Sequence, residues 1–450
     1  MNSLDVKLPP HSEDSELFVI GSCLIDAGAK EQAMITLRPD DFYTVNMQTV
    51  FETIRDMDNA NKNIDVSTVA AELKNKNKLD EIGGAETLVS AINSVTTPVL
   101  VDFHIGEIKN YSLLRNLIKS CSDISGACFL HEQEPQSILE HAEKAIFSIS
   151  NTGQTSKLVS AKDIVLEAME NIDNLYQKKV KVNGIETGFS TIDKLTCGLQ
   201  GGNVAILAAR PSMGKTSLAL NIVRHNIERG VPCAFFSLEM TKQEMMLRLL
   251  SQLSGVGLYN LRTGFFGAEQ MERLAYEAEK LYDYPLSLDC SSFNMSAVSI
   301  RSACRRLATR LVNEGKKLGL IVIDYLQLIQ NTSRRHENRQ NEVAEISRAI
   351  KAMAIDLDVP VLALSQLNRS PEGRADGRPI LSDLRESGSI EQDADLVMFI
   401  YREKMYVKGA SEEDRAATKL ILAKNRNGAL GDIDLYFDAK KTSFKEVEKL

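Results

Sequence analysis

The segment 204-VAILAARPSMGKTSLALNIVRHNI-227 constrains this chain more than any other. Residues 204–208 are a short apolar run that reads as a buried strand, and 218–227 read as a helix. The loop between them ends in Gly-Lys-Thr. That is the strand–loop–helix setting in which a P-loop cradles phosphate. Gly214 lets the backbone approach the ligand closely, and amides of the turn and the helix start face the anion. Lys215 supplies charge to the outer phosphates, and the Thr216 hydroxyl is suited to Mg²⁺. The pattern G-x-x-x-x-G-K-[ST] asks for glycine where this chain has Ala209, a change that a negative φ tolerates. Ser212, Gly214, Lys215, Thr216 and Ser217 are the expected nucleotide-binding set, with ATP and Mg²⁺ as ligands.

Further apolar runs after residue 184 give the loop its surroundings. They are CAFFS at 233–237, LIVI at 320–323, VPVLAL at 359–364, LVMFIY at 396–401 and LILA at 420–423. Helical patterns separate the first four strands of the series, so a mostly parallel sheet with helices on both faces is expected. In such sheets ligands bind beyond the carboxyl ends of the strands. Three of those ends carry polar chemistry. Glu239 follows 233–237 and could polarise an attacking water. Asp324 ends 320–323 and could hold the metal through water. Gln366 follows 359–364 and could sense the terminal phosphate. Glu239 falls on an element between Lys215 and Asp324, which suits a RecA-like arrangement.

Two downstream segments are also candidates. The stretch 369-RSPEGRADGRPILSDLRESGSIEQDAD-395 is loop-like and carries Arg369, Arg374, Arg378 and Arg385. It has almost no aromatic content, so any nucleic-acid contact there would follow the backbone rather than stack on bases. In 424-KNRNG-428, Lys424 and Arg426 leave the same face of an extended segment. They could reach a neighbouring copy's phosphate as an arginine finger.

Composition adds bounds. A chain of 450 residues is too long for one ordinary core. Residues 1–150 hold 23 acids and 12 bases, whereas the remaining 300 hold 38 acids and 41 bases. The acidic front suits protein partners and repels polyanions, so nucleic-acid contact requires a local basic surface. No apolar run approaches a membrane span, and MNSLDVKLPPHSED has no apolar signal core. Seven scattered cysteines lack C-x-x-C spacing, which favours reduced thiols in a cytoplasmic protein.

The front itself reads as helical. Met47, Val50, Phe51, Ile54 and Met57 recur at helical spacing; 12–26 and 65–73 read as further helices. Residues 101–131 suit a long helix or helix pair, with 133–149 as an antiparallel return. Residues 151–157 are polar and flexible by composition. Ile164, Val165, Ala168, Met169, Ile172, Leu175 and Tyr176 then form an amphipathic stripe between two polar stretches. That stripe needs a cover, either its own chain or a neighbouring copy.

The succession ARPSMGKT, FFSLEM, IVIDYLQLI, SQLNR, SDLRESGSIEQDAD and AKNRNG closely resembles the replicative hexameric DNA helicases of the DnaB family. Ala209 is usual there. The resemblance implies an all-α N-terminal collar at 1–150, a linker with an amphipathic helix at 151–184, and a RecA-like α/β P-loop ATPase domain at 185–450. It implies a homohexamer that translocates 5′→3′ on single-stranded DNA and unwinds duplex at the replication fork. By motif match, Lys215, Glu239, Gln366, Lys424 and Arg426 would be catalytic, the last two acting in trans. Thr216 and Asp324 would hold Mg²⁺, and Arg385, Glu386 and Gly388 would grip DNA. Primase and a loader are the implied partners, and no membrane is. Where the family has paired aspartates and a proline, this chain has 287-SLDCSSFNMS-296, which leaves Asp289 without an inherited role. The alternatives from the residues are a RecA-like strand-exchange ATPase and an ATP-gated scaffold that does not translocate.

Overall fold

The computed structural model describes residues 8–130, 134–152, 161–178, 182–290, 295–329, 339–368, 374, 377–384, 388–405, 409 and 411–447. The chain divides into two compact units, Met1–Ile164 and Val165–Leu450.

The first unit is helical. Helices Glu13–Ile25, Val45–Asn59, Val66–Asn75, Ala85–Ser94 and the start of Val101–Leu130 share one core. The expected stripe of Met47, Val50, Phe51, Ile54 and Met57 is buried in it. Helices Glu13–Ile25 and Ala85–Ser94 touch so closely at Gly21 that a Cβ there would lie 2.0 Å from the Ala91 carbonyl oxygen. Glu16 is buried at their side and accepts from the Tyr43 and Thr44 amides at 2.6 and 3.1 Å. Its carboxylate thereby satisfies free amides at the start of Val45–Asn59 and complements that helix's dipole. Val101–Leu130 is one helix of 30 residues, followed by Pro135–Thr152. The amphipathic stretch also forms a helix, Ala161–Lys178; residues 153–160 lie outside the described residues.

Among its described residues the second unit is built on nine strands: β1 Val204–Ala209, β2 Cys233–Ser237, β3 Leu286–Asp289, β4 Leu320–Asp324, β5 Val361–Gln366, β6 Leu396–Tyr401, β7 Ala417–Asn425, β8 Gly431–Asp438 and β9 Ser443–Glu446. Their order across the sheet is β3-β2-β4-β5-β1-β6-β7-β8-β9. The first six run parallel, and β7 to β9 are added antiparallel. Strands β1, β2 and β4 are buried along their whole length, and β5 and β6 except at the last residue. That is why they read as continuous apolar runs rather than alternating ones. Their side chains feed two separate cores, one on each face. This is the expected RecA-like α/β architecture.

Two details depart from the sequence reading. β5 begins at Val361 rather than at 359, because Pro360 has no N–H to give; the Val361 amide is the first to pair, with Asn203 O at 2.9 Å. β3, β8 and β9 were not expected. β3 is only half-buried, and β8 alternates charged and apolar residues, burying only Ile433 and Leu435.

Candidate functional site

Four neighbouring tips of the parallel strands lie side by side. From one side of the sheet they are the end of β2 leading to Glu239, Asp324 on β4, Gln366 on β5, and the loop after β1. Ser237 is in register with Asp324, and Gln366 with Ala209. At about 4.8 Å between strands, the row spans about 15 Å, the scale of one nucleotide triphosphate.

The phosphate loop is held in an unusual backbone shape. Gly214 has φ +100° and Ser212 φ +65°. Helix Lys215–Ile227 starts directly after Gly214 with no side-chain cap, so its first amides have no intrahelical partner. Ser217 is 1% exposed and sits beneath this turn. Its hydroxyl is therefore closed off from solvent.

Asp324 is fully buried. Its Oδ2 accepts from the Thr216 hydroxyl at 2.6 Å, while Oδ1 has no hydrogen-bond partner among the described residues and lies 3.6 Å from Lys215 Nζ. An orphaned carboxylate oxygen beside a hydroxyl is a donor set that suits a hard cation. Burial pulls the Lys215 pKa below its ordinary value, against the opposing pull of Asp324 and Glu239. The ammonium also lies 4.3 Å from the centre of the Tyr325 ring.

Glu239 is exposed, two residues past the end of β2, and the intervening Leu238 amide is pinned to Asp324 O at 2.7 Å. Arg248, on helix Lys242–Ser254, has its pKa lowered mainly by burial, with Arg262 adding to it, while Glu244, Asp324 and Glu239 pull the other way. Gln366 is bracketed by Gln327, which donates to Ser365 Oγ at 2.7 Å and to Gln366 O at 3.3 Å, and accepts from the Gln366 amide at 3.3 Å. The next residue ties back to the loop: the Leu367 amide donates to Ala209 O, and Arg210 donates to Leu367 O. Tyr325, Gln327 and Arg248 were not singled out from sequence. The first two stand beside Asp324 in LIVIDYLQLI and could have been; Arg248 had no local signal.

Lys424 and Arg426 lie elsewhere. β7 runs against β6, so Asn425 pairs with Leu396 at the amino end of the parallel strands. The phosphate loop leaves the carboxyl end, beyond Ala209. One strand length of about 15–20 Å separates the two ends. Lys424 Nζ donates to Glu391 O at 2.6 Å, and Arg426 Nη2 to Gln392 O at 2.7 Å. Burial, then neighbouring Arg426, lower the Lys424 pKa. Gly388 opens the short helix Gly388–Asp393, whose carbonyls these are. Arg385 and Glu386 lie outside the described residues.

Residues 184–446 match the DnaB-like helicase C terminal domain and 8–110 the DnaB-like helicase N terminal domain. The chain belongs to the DnaB family of replicative DNA helicases. It is 37% identical over 447 residues to the replicative DNA helicase DnaC of Bacillus subtilis, covering 99% of this chain and 97% of that one. To the replicative DNA helicase DnaB of Geobacillus stearothermophilus it is 38% identical over 444 residues, with 98% and 96% covered. A solved DnaB-like replicative helicase, described with its interactions with primase, superposes with TM-score 0.75 at 30% identity, covering 97% of this chain and all of that one. A second solved structure, an ATPase domain on its own, superposes with TM-score 0.59 at 34% identity, covering 64% of this chain and 99% of that one. The helicase is thus an ATP-dependent enzyme of DNA replication. No single helix among the described residues is long and apolar enough to cross a membrane.

Proposed function

We propose that this helicase works as a closed ring of six copies. ATP would sit in each seam between neighbours, and its hydrolysis would drive 5′→3′ movement along one DNA strand in the cytoplasm. The observation that carries the reading is the placement of Lys424 and Arg426 at the end of the strands opposite their own phosphate loop. Cations there serve nothing in their own pocket, whereas a neighbour's phosphates are within the geometry of a ring.

In this reading the backbone of Ser212, Gly214, Thr216 and Ser217 cradles the phosphates, and Lys215 neutralises their charge. Thr216 and Asp324 would hold Mg²⁺, which supplies further charge neutralisation at the phosphate oxygens. Among the described residues no cluster of three or more His, Cys, Asp or Glu offers a separate metal cage. Glu239 orients and deprotonates the attacking water; its exposure leaves it free to reach one. Arg426 and Lys424 of the adjacent copy complete the site. Gln366, tied to both the loop and the Asp324 strand, passes nucleotide state to the segment that follows it. In that segment Arg385, Glu386 and Gly388 hold the DNA backbone.

The domain reading is a collar at 1–150, a linker at 151–184 and the motor at 185–450. Ile164, Val165, Met169, Ile172 and Tyr176 of helix Ala161–Lys178 are all exposed, which supports docking of that helix on a neighbouring copy. Primase and a loader are the proposed protein partners; the solved relative described with primase supports the first.

The test mixes two inactive proteins. Arg426→Ala and Glu239→Ala subunits, each without unwinding activity on forked DNA, should recover DNA-stimulated ATP hydrolysis when combined in one ring. No recovery would overturn the shared site. Forks with a single tail of either polarity test the direction of travel.

A further inference from the structure

We propose that Asp395 is a positioning residue for the arginine that each subunit lends to its neighbour. The inference rests on Arg426 acting in trans and goes further by naming what aims it. Asp395 sits between helix Gly388–Asp393 and β6, and its side chain is 9% exposed. One carboxylate oxygen is fully committed to the scaffold. Oδ2 accepts from the Val204 amide at 2.8 Å and from Lys351 Nζ at 2.6 Å. Lys351 is itself fixed by Gly202 O at 3.0 Å. The other oxygen, Oδ1, accepts from Arg426 Nη1 at 3.1 Å. The main chains are joined as well: the Arg426 amide donates to Asp395 O, and the Asp395 amide to Val204 O, both at 2.9 Å.

Val204 and Lys351 alone would satisfy a buried carboxylate on one side. The arginine is an addition to that structural need. Its side chain remains 49% exposed, with two of five N–H donors used among the described residues, one on Asp395 and one on the Gln392 carbonyl. Three stay available for phosphate. An arginine fixed in one rotamer before phosphate arrives loses no freedom when charge develops, which is the basis of preorganised catalysis. Asp395 anchors on the first residue of β1, and the phosphate loop follows the last residue of the same strand. Pocket and trigger therefore ride on opposite ends of one rigid element.

Asp395→Asn can still accept from Val204 but presents an amide donor to the guanidinium. The expected result is a drop in kcat of about ten- to a hundredfold with KM for ATP nearly unchanged, the pattern of a misplaced catalytic group. Mixed rings separate positioning from damage. Asp395→Asn with Glu239→Ala should recover activity, because the second subunit brings a well-aimed Arg426 to the first one's intact pocket. Asp395→Asn with Arg426→Ala should not recover. A variant that merely damages its own pocket gives the reverse pattern, which overturns the proposal. Lys351→Met loosens the same anchor and should show the same mixing pattern with a smaller loss, so the test survives if Asp395→Asn fails to fold. Arg426→Ala with Glu239→Ala is the control: its failure overturns the shared site itself, whereas its success beside a reversed Asp395→Asn pattern overturns only the role of Asp395.

Discussion

The Thr216 hydroxyl donates a 2.6 Å hydrogen bond to Asp324, joining residues 108 apart in sequence and closing the base of the pocket. The same carboxylate faces Lys215 with its free oxygen at 3.6 Å. Removing one partner of a buried ion pair is costlier than removing both. With Lys215 slightly exposed and the pair not in hydrogen-bond contact, Asp324→Asn should destabilise the nucleotide-free ATPase unit by about 2–3 kcal/mol. Lys215→Met/Asp324→Asn should recover most of that loss in urea unfolding. A double variant no more stable than Asp324→Asn would show that the pair is not what Asp324 balances. The pH dependence has a definite sign. Because the folded Lys215 pKa lies below 10.5, the unfolded chain binds the extra proton between the two values, and stability rises with pH across that interval. Lys215→Met should flatten that rise.

Gly214→Ala should damage the loop through both conformation and space. At φ +100° an L-residue is strained, and the added Cβ would stand 2.7 Å from Phe444 Cζ and 3.3 Å from Phe437 Cε2. Those rings pack on each other at 4.7 Å, and Phe444 is 4% exposed, so neither yields readily. Strain of about 1–3 kcal/mol adds to overpacking of about 1–3 kcal/mol. The expected outcome is a thermal transition lowered by several degrees and weakened ATP binding by calorimetry. Adding Phe444→Leu should restore part of the transition and none of the binding, since it relieves the clash but leaves φ unchanged. Full recovery of binding would mean that the backbone shape is not required.

Much of this was legible because the parallel strands are buried on both faces and end abruptly in chemistry. VAILA, CAFFS and LIVI stop at the P-loop, Glu239 and Asp324, and it is at such strand ends that ligands bind. The antiparallel extension was not legible, because GDIDLYFD buries only two residues and its period is masked by charge. Asp395 was invisible for a different reason. Its partners Lys351 and Arg426 lie 44 and 31 residues away, one on helix Arg339–Leu357 and one just past β7, and meet it only once the unit is folded. The expected DNA contacts Arg385 and Glu386 fall outside the described residues.

Arg374, one of the arginines of the loop-like stretch 369–395, is taken up by partners within its own chain. It donates to both oxygens of Asp383, at 2.6 and 2.7 Å, and to Arg378 O at 2.9 Å. Asp383 is 1% exposed, also accepts from the Ile380 amide, and its carbonyl takes the Asn368 amide. A bidentate pair of this kind fixes the segment against β5. Arg374→Ala should lower stability and leave the salt dependence of single-stranded DNA binding unchanged. A slope reduced by about 0.7, the value for one phosphate contact on a single strand, would instead make Arg374 a DNA ligand.

Cysteine reactivity gives a check on all three cores at once. Cys23, Cys233, Cys290 and Cys304 are buried, while Cys121, Cys128 and Cys197 are exposed. Burial pushes the thiols of Cys23, Cys233 and Cys304 up to about 12. At pH 8 such a thiol is about one part in ten thousand thiolate, the reactive form. Access is blocked as well, so the buried thiols should stay silent at pH 8. Ellman's reagent should count no more than three rapidly reacting thiols in the folded protein and seven in denaturant. Cys233 and Cys304 pack on opposite faces of the sheet, and Cys23 in the helical unit. Rapid labelling of any one of them, located by mass spectrometry, would therefore identify which of the three cores is packed differently from this description.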